Sequence, residues 1–377
     1  MRAVPSVGEM RCRACGSLAG EIVLDLGEQP ACDHFPLRDD PRQDPVYPLE
    51  MWLCAGCGLA QLVSDPTVPE EPRGAEPAAL VEQAADAVRR VADAGWLSTG
   101  DRVAEYGSPH GGSWGGLLRA RGLRMVGEGE SAEVVLDCFG LMHRADQEGA
   151  LAERAARIAD GGVLLLQFHS LATILRRGQW NSLRHGHYAY YSTPALSRML
   201  AAVDFAPRSA WTFNLYGGTV LLAATPRGVP GEPDESVTRL AADEKAQGVL
   251  DPGRVRVLHS NAVAGAQALR SWLVRQHAAG SVVLGYGAAS RAVSLLCSAG
   301  ANSSILPAIA DASPAKQGRR MPGTDIAVIE PDELAERAPD AVLLFLPDLL
   351  DEVRHRIPQI EAAGGKWIDV EALTSSV

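Results

Sequence analysis

The chain has 377 residues, 46% hydrophobic and 21% charged, with 35 Lys and Arg against 46 Asp and Glu and a formal net charge of -11. That length exceeds one ordinary core and calls for two or three domains. The acidic balance argues against a general binder of nucleic acid or anionic membrane, yet leaves room for a local basic pocket. No apolar run reaches the roughly 18 residues that span a bilayer. The N-terminal MRAVPSVGEMRCRACG lacks the apolar core of a secretory signal. A cytoplasmic protein is expected, with neither nucleic acid nor membrane as partner.

In such a chain seven cysteines do not read as a disulfide framework. Cys12 and Cys15 form C-R-A-C, Cys54 and Cys57 form C-A-G-C, and a glycine follows each second cysteine. Two such turns offer four soft ligands, which suits a closed tetrahedral zinc site with no open position for water, hence a structural one. Free thiols or a redox pair are the alternatives. The 38 residues between the pairs require a small subdomain. Cys32 is left over and expected to be buried.

DPTVPEEPRGAEP (65–77) reads as a linker and AALVEQAADAVRRVADAGWL (78–97) as an amphipathic helix. RVAEYGSPHGGSWGGLLRARG then reads strand, glycine-rich turn, helix. EVVLDCFG (133–140), GVLLLQFHS (162–170) and the hairpin-like SAWTFNLYGGTVLLAATP (209–226) are further strands. Strands alternating with helices make an α/β sheet covered on both faces. Ligands of such sheets sit at the carboxyl ends of the strands, here Glu105 to Gly107, Cys138 to His143, and His169. The turn E-Y-G-S-P-H-G-G is by itself a weak nucleotide signal. RHGHYAYYS (184–192) gathers two of nine histidines and three of seven tyrosines. It is either a general base among hydroxyls or a solvated entry to a helix.

PRGVPGEPDES (226–236) marks a second boundary. A helix over 260–280 leads into an apolar strand, the turn G-Y-G-A-A and another helix, followed by strand-like SSILPAIAD, AVLLFLP and GKWIDV. This is a second Rossmann-like unit. Gly285, Tyr286 and Gly287 permit a close approach to a ligand, and Arg291 in the first helical turn is placed to meet a phosphate. ADASPAKQGRRMPGTDI (310–326), with Lys316, Arg319 and Arg320, is the strongest basic cluster and suits an anionic ligand. A packing turn and a solvated loop are the plain alternatives.

Together these motifs resemble the three-domain deoxysugar C-methyltransferases of antibiotic pathways. The likeness rests on the two C-x-x-C pairs, L-G-E-Q-P-A-C-D-H-F (26–35), the 184–192 segment, G-Y-G-A-A (285–289) and A-D-A-S-P-A-K-Q-G-R-R-M-P-G-T (310–324). It implies a zinc knuckle (1–66), a reduced class I methyltransferase-like Rossmann domain (67–227) and a C-terminal Rossmann-like domain (228–377). The implied substrate is a small molecule, a nucleotide-linked keto-deoxysugar. In the family a base removes a proton beside the ketone, and the enolate takes a methyl group from S-adenosylmethionine (SAM). The resemblance places that base at His187 and a second functional histidine at His143. Arg184, Tyr190 and His185 complete the expected catalytic group. The sequence leaves the oligomeric state open.

The departures bear on the cofactor. Arg184 and Gly186 replace the family's Tyr and Glu, and a cation at Arg184 would lower the pKa of a neighbouring histidine. Pro109 and His110 replace an Asn-Asp pair. Glu105 and Gly107 remain as cofactor-binding candidates. Glu128, 21 residues past Gly107, is in the register of a ribose-binding acid, but the helix and strand that should follow it are missing. The serine- and aromatic-rich stretch that closes over SAM is also missing. SAM binding is therefore expected to be weakened or lost, leaving epimerisation, elimination or isomerisation through an enolate. SAM-dependent C-methylation with a shortened site and a non-catalytic pathway scaffold stay open.

Overall fold

The structure, a computed structural model, describes residues 10–67, 78–109, 111–215 and 218–375. Most of the expected linker 65–77, and His110 of the glycine turn, lie outside them. The N-terminal part is an antiparallel sheet of β1 (Gly20–Pro30), β2 (Val46–Cys54) and β3 (Ala60–Leu62). Its fourth strand, β8 (Ala189–Tyr190), comes from far along the chain and pairs Ala60 with Tyr190 and Gln61 with Ala189. Each C-x-x-C loop turns back at its glycine, whose N–H donates to the carbonyl of the first cysteine at 3.0 Å. Gly16 (φ 68°) and Gly58 (φ 81°) there take the left-handed conformation that favours glycine.

In the middle part, α1 (Ala78–Asp93) ends just before Gly95 (φ 83°), two residues past the helix, rather than at 97. Then come β4 (Arg102–Gly107), α2 (Gly115–Ala120), β5 (Arg124–Met125), β6 (Ala132–Cys138), α3 (Gln147–Ala156) and β7 (Ile158–His169). After α4 (Leu171–Arg177) and α5 (Thr193–Ala202), the hairpin β9 (Phe205–Phe213) and β10 (Thr219–Pro226) completes a six-stranded sheet, ordered β5-β4-β6-β7-β10-β9. The first four neighbours run parallel, and β10 runs antiparallel to both β7 and β9. Alternate residues feed two cores: Val103, Val134 and Leu136 pack under Ala87, Val88 and Val91 of α1, while Ala104, Val135 and Leu164 face the opposite side. Asp146 caps α3 through Gly149 N–H, and Ser192 caps α5 through Ala195 N–H, with Pro194 in the first turn.

The C-terminal sheet is wholly parallel. β11 (Val283–Tyr286), β12 (Ala308–Ala310), β13 (Ala327–Ile329), β14 (Ala341–Leu344) and β15 (Lys366–Asp369) stand in the order β13-β12-β11-β14-β15. The sequence reading omitted β13, whose three residues are too short to show a period. The helix Val257–Ala278 packs this unit against the N-terminal sheet, and Val23, Leu24 and Leu49 share one core with Leu258, Leu269 and Val293. Among the described residues no helix is long and apolar enough to cross a membrane.

Candidate active site

Cys12, Cys15, Cys54 and Cys57 converge with all four sulfurs within 4.8 Å of one another. The Sγ atoms of Cys12 and Cys57 are 3.5 Å apart and those of Cys15 and Cys54 3.6 Å. A tetrahedral zinc with ~2.3 Å thiolate bonds separates its sulfurs by about 3.8 Å, so the donor set fits zinc. Four thiolates fill that coordination shell, and the centre is structural. Cys32 is buried, its thiol directed at the His185 carbonyl.

His143 and His187 meet edge to face with ring centroids 4.7 Å apart. His143 lies past the carboxyl end of β6, and its Nδ1 is 2.9 Å from the Gly186 carbonyl. A carbonyl only accepts, so Nδ1 carries the proton and Nε2 presents a lone pair. That lone pair faces Ser108, just past β4, with Oγ at 3.5 Å. Gly186 turns its carbonyl this way in a left-handed conformation (φ 84°), and its N–H donates to Asp65 at 2.6 Å.

His187 is engaged differently. Nε and Nη2 of Arg184 lie 2.8 and 2.5 Å from its Nε2. A guanidinium only donates, so this nitrogen accepts. The expected closeness of Arg184 to a histidine is present. Tyr190 stays beside the pair, its ring centroid 6.3 Å from that of His187, while His185 turns toward the N-terminal sheet. Tyr190 is buried; its hydroxyl donates to the Ser182 carbonyl at 3.1 Å and accepts from Arg184 N–H at 3.0 Å, and burial raises its pKa. His185 is buried against the N-terminal sheet, with Nε2 3.2 Å from the Pro48 carbonyl and its ring edge-on to Tyr47. The turn at Gly186 (φ 84°) between them breaks the strand alternation, so His187 meets His143 while His185 packs on the N-terminal sheet.

On the cofactor side, Glu105 caps its own turn, accepting from Ser113 Oγ at 2.7 Å and Trp114 N–H at 2.6 Å. Gly107 is exposed, and a Cβ built there would meet nothing within 4 Å. Glu128 is displaced from its expected place. β5 pairs only Arg124 with Arg102 and Met125 with Val103, at the amino end of β4. The chain then leads through an exposed turn holding Glu128 directly to Ala132. Arg157 pins that turn through the carbonyls of Gly127 and Glu130.

The C-terminal candidates also take other partners. Gly285 is a packing glycine: a Cβ would lie 2.7 Å from Ile309 Cγ1. Tyr286 is buried edge-on to Trp367, and Gly287 (φ 90°) makes the turn. Arg291 pairs with Glu371 at 2.6 Å, and Gln179 of the middle part donates to the same carboxylate at 2.8 and 2.9 Å. Lys316 is buried, donating to the Ala288 carbonyl at 3.0 Å with its ammonium 4.9 Å from the Phe35 ring centroid. Arg319 donates to the Phe35 carbonyl at 2.6 Å, and Arg320 pairs with Asp44 at 2.6 Å. The basic loop fastens the C-terminal unit to the N-terminal one, in place of the open anion patch expected. Sequence reasoning missed Ser108, Asp65 and Gln179. Asp65 sat at the edge of a stretch read as linker, and no local pattern marks any of the three.

Residues 12–70 match the family described as "Putative zinc binding domain" and residues 214–370 the one described as "C-methyltransferase C-terminal domain". C-methyltransferase NovU of Streptomyces niveus is 23% identical over 401 residues, covering 95% of this chain and 94% of that protein. Among solved structures, magnesium protoporphyrin IX methyltransferase of Synechocystis PCC 6803, with bound SAH, is 13% identical; the match covers 39% of this chain and 84% of that one, with a TM-score of 0.30. The 1,6-didemethyltoxoflavin-N1-methyltransferase of Burkholderia thailandensis is 15% identical over 44% of this chain and 94% of its own, with a TM-score of 0.28. A zinc-binding domain thus stands ahead of a C-methyltransferase C-terminal domain, and the chain is similar to a C-methyltransferase along nearly its whole length.

Proposed function

We propose that this protein enolises a nucleotide-linked keto-deoxysugar or a related keto-sugar without SAM, with the paired histidines at the carboxyl ends of β4 and β6 as its working groups. The observation that carries the reading is the division of hydrogen bonds within the pair. His143 has its Nδ1 proton held by the Gly186 carbonyl and its Nε2 toward Ser108 Oγ, which makes Nε2 the basic nitrogen of the neutral ring. His187 has Nε2 held by Arg184. The roles therefore fall differently from the sequence expectation, which made His187 the base. The C–H bond beside the ketone breaks, its proton passes to His143 Nε2, and the electron pair moves onto the carbonyl oxygen. The Arg184 guanidinium, oriented by His187, donates to that oxyanion. Delivery of a proton from solvent to the opposite face, with His143 releasing its own to solvent, gives an epimer; loss of a β substituent gives an elimination product.

The displacement of Glu128 and the two-residue length of β5 support chemistry without SAM. A second reading, SAM-dependent C-methylation, is favoured by the family and by the open Gly107 beside Glu105; it shares the enolising step. The test is deuterium incorporation from heavy water into a nucleotide-linked 4-keto-6-deoxyhexose, without SAM, followed by mass spectrometry. Wild type should exchange, and His143→Asn should lose about 10²–10⁴-fold. Full exchange by His143→Asn removes the assignment. Calorimetry with SAM separates the readings: micromolar binding with methylated product makes methyl transfer the function, and neither exchange nor transfer leaves a non-catalytic scaffold.

A further inference from the structure

Arg13 lies between two of the four cysteines, so closing the metal loop fixes its backbone. Its N–H donates to Gln61 Oε1 at 2.8 Å, and Gln61, fully buried, donates in turn to the Arg11 carbonyl at 3.1 Å. Gln61 is also the β3 residue paired with Ala189 of β8, two residues past His187. The Arg13 guanidinium reaches in the other direction. Nη2 donates to the Leu62 carbonyl and Nη1 to the Ala145 carbonyl, each at 3.2 Å, and the guanidinium carbon stands 5.0 Å from the Tyr188 ring centroid. The Arg13 carbonyl accepts from Glu148 N–H at 3.2 Å, while Tyr188 N–H donates to the Met142 carbonyl at 2.7 Å. One side chain thus touches the residue after His187 and the residue two past His143. Removal from water lowers its pKa, a cost accepted for contacts that a point charge on a flexible stem would not make together.

We infer that Arg13 is a positioning residue that couples the four-cysteine centre to the histidine pair. It fixes the separation of His143 and His187, and with it the hydrogen bond from His143 Nδ1 to Gly186. The inference rests on the pair being the working site, but its readout needs no substrate, so its failure and the failure of the enolisation reading are separable. The experiment records the ring-nitrogen NMR spectrum of the histidines in the full-length, zinc-loaded protein, with zinc content and melting temperature alongside.

Wild type should show His143 with Nδ1 protonated and Nε2 bare. Arg13→Ala should keep stoichiometric zinc and its fold yet lose that single tautomer, His143 moving toward the averaged signature of a free ring. Zinc-loaded, folded Arg13→Ala with a wild-type histidine spectrum overturns the inference. Should Arg13→Ala fail to fold, Tyr188→Leu removes the ring from under the guanidinium and leaves the metal loop intact. It should produce the same histidine change, and an unchanged spectrum overturns the coupling.

Discussion

A Cβ built on Gly107, at the carboxyl end of β4, meets no atom within 4 Å, whereas one on Gly285 in β11 lies 2.7 Å from Ile309 Cγ1 and 3.0 Å from Phe345 Cε2. Both glycines belong to a parallel strand feeding a glycine-rich turn and a helix. At the first turn the space beside the backbone is open to solvent. At the second it is taken by the protein's own side chains, and the arginine behind it answers Glu371. A glycine needed for a ligand and a glycine needed for packing are written alike. The difference is made by residues that arrive from other strands, Ile309 from β12 and Phe345 from the end of β14.

The comparison breaks most readily at Gly285. Gly285→Ala should lower stability by about 1–3 kcal/mol, the usual cost of overpacking a filled site, read as a shift of the denaturation midpoint at constant slope. An unchanged midpoint would mean that the second turn is as open as the first.

The helix behind the second turn offers a finer probe. Burial first, then the charges of Arg291, Arg184 and Arg177, hold the pKa of His169 down to about 3 from its ordinary 6.5. The folded ring is neutral, and the unfolded chain takes up a proton below pH 6.5. This stability is therefore full above pH 6.5 and is lost as pH falls toward 3. His169→Gln should flatten the stability profile between those limits by up to ~1.4 kcal/mol per pH unit. A profile with unaltered slope would show that the fold does not hold His169 neutral.

The smallest effect belongs to Gly107→Ala, which should change stability by no more than about 0.5 kcal/mol while weakening whatever ligand approaches the first turn. Equal binding of that ligand by wild type and variant would place it elsewhere.

The metal ligands were legible because a C-x-x-C turn is local: sequence neighbours become ligands of one centre. The missing helix and strand after Glu128 were legible, since too few residues separate Gly107 from Ala132 for two helices and two strands. The surroundings of Glu128 were not legible, for a non-local reason. Its spacing was right, but β5 takes its register from Arg102 and Val103 at the far end of β4. Lys316 and Arg319 failed similarly. Their charge was visible, and the carbonyls of Ala288 and Phe35 that absorb their donors were not. His185 and His187, two residues apart, are parted by the left-handed turn at Gly186, a conformation that the histidine-rich pattern did not show.

That joining has a consequence for how the chain is made. β3 ends at Leu62 and its partner strand begins at Ala189. At the usual ~5–20 residues per second of synthesis, on the order of ten seconds pass in which β3 is an open edge on a new chain. An unpaired edge is a template for any other strand that arrives first. Ala60 and Leu62, fully buried once the sheet closes, are in that interval the adhesive margin of an unfinished molecule. The strand that seals this margin leads directly out of the histidine segment, so the ribosome's schedule decides together when the chain becomes safe from its neighbours and when its two histidines meet.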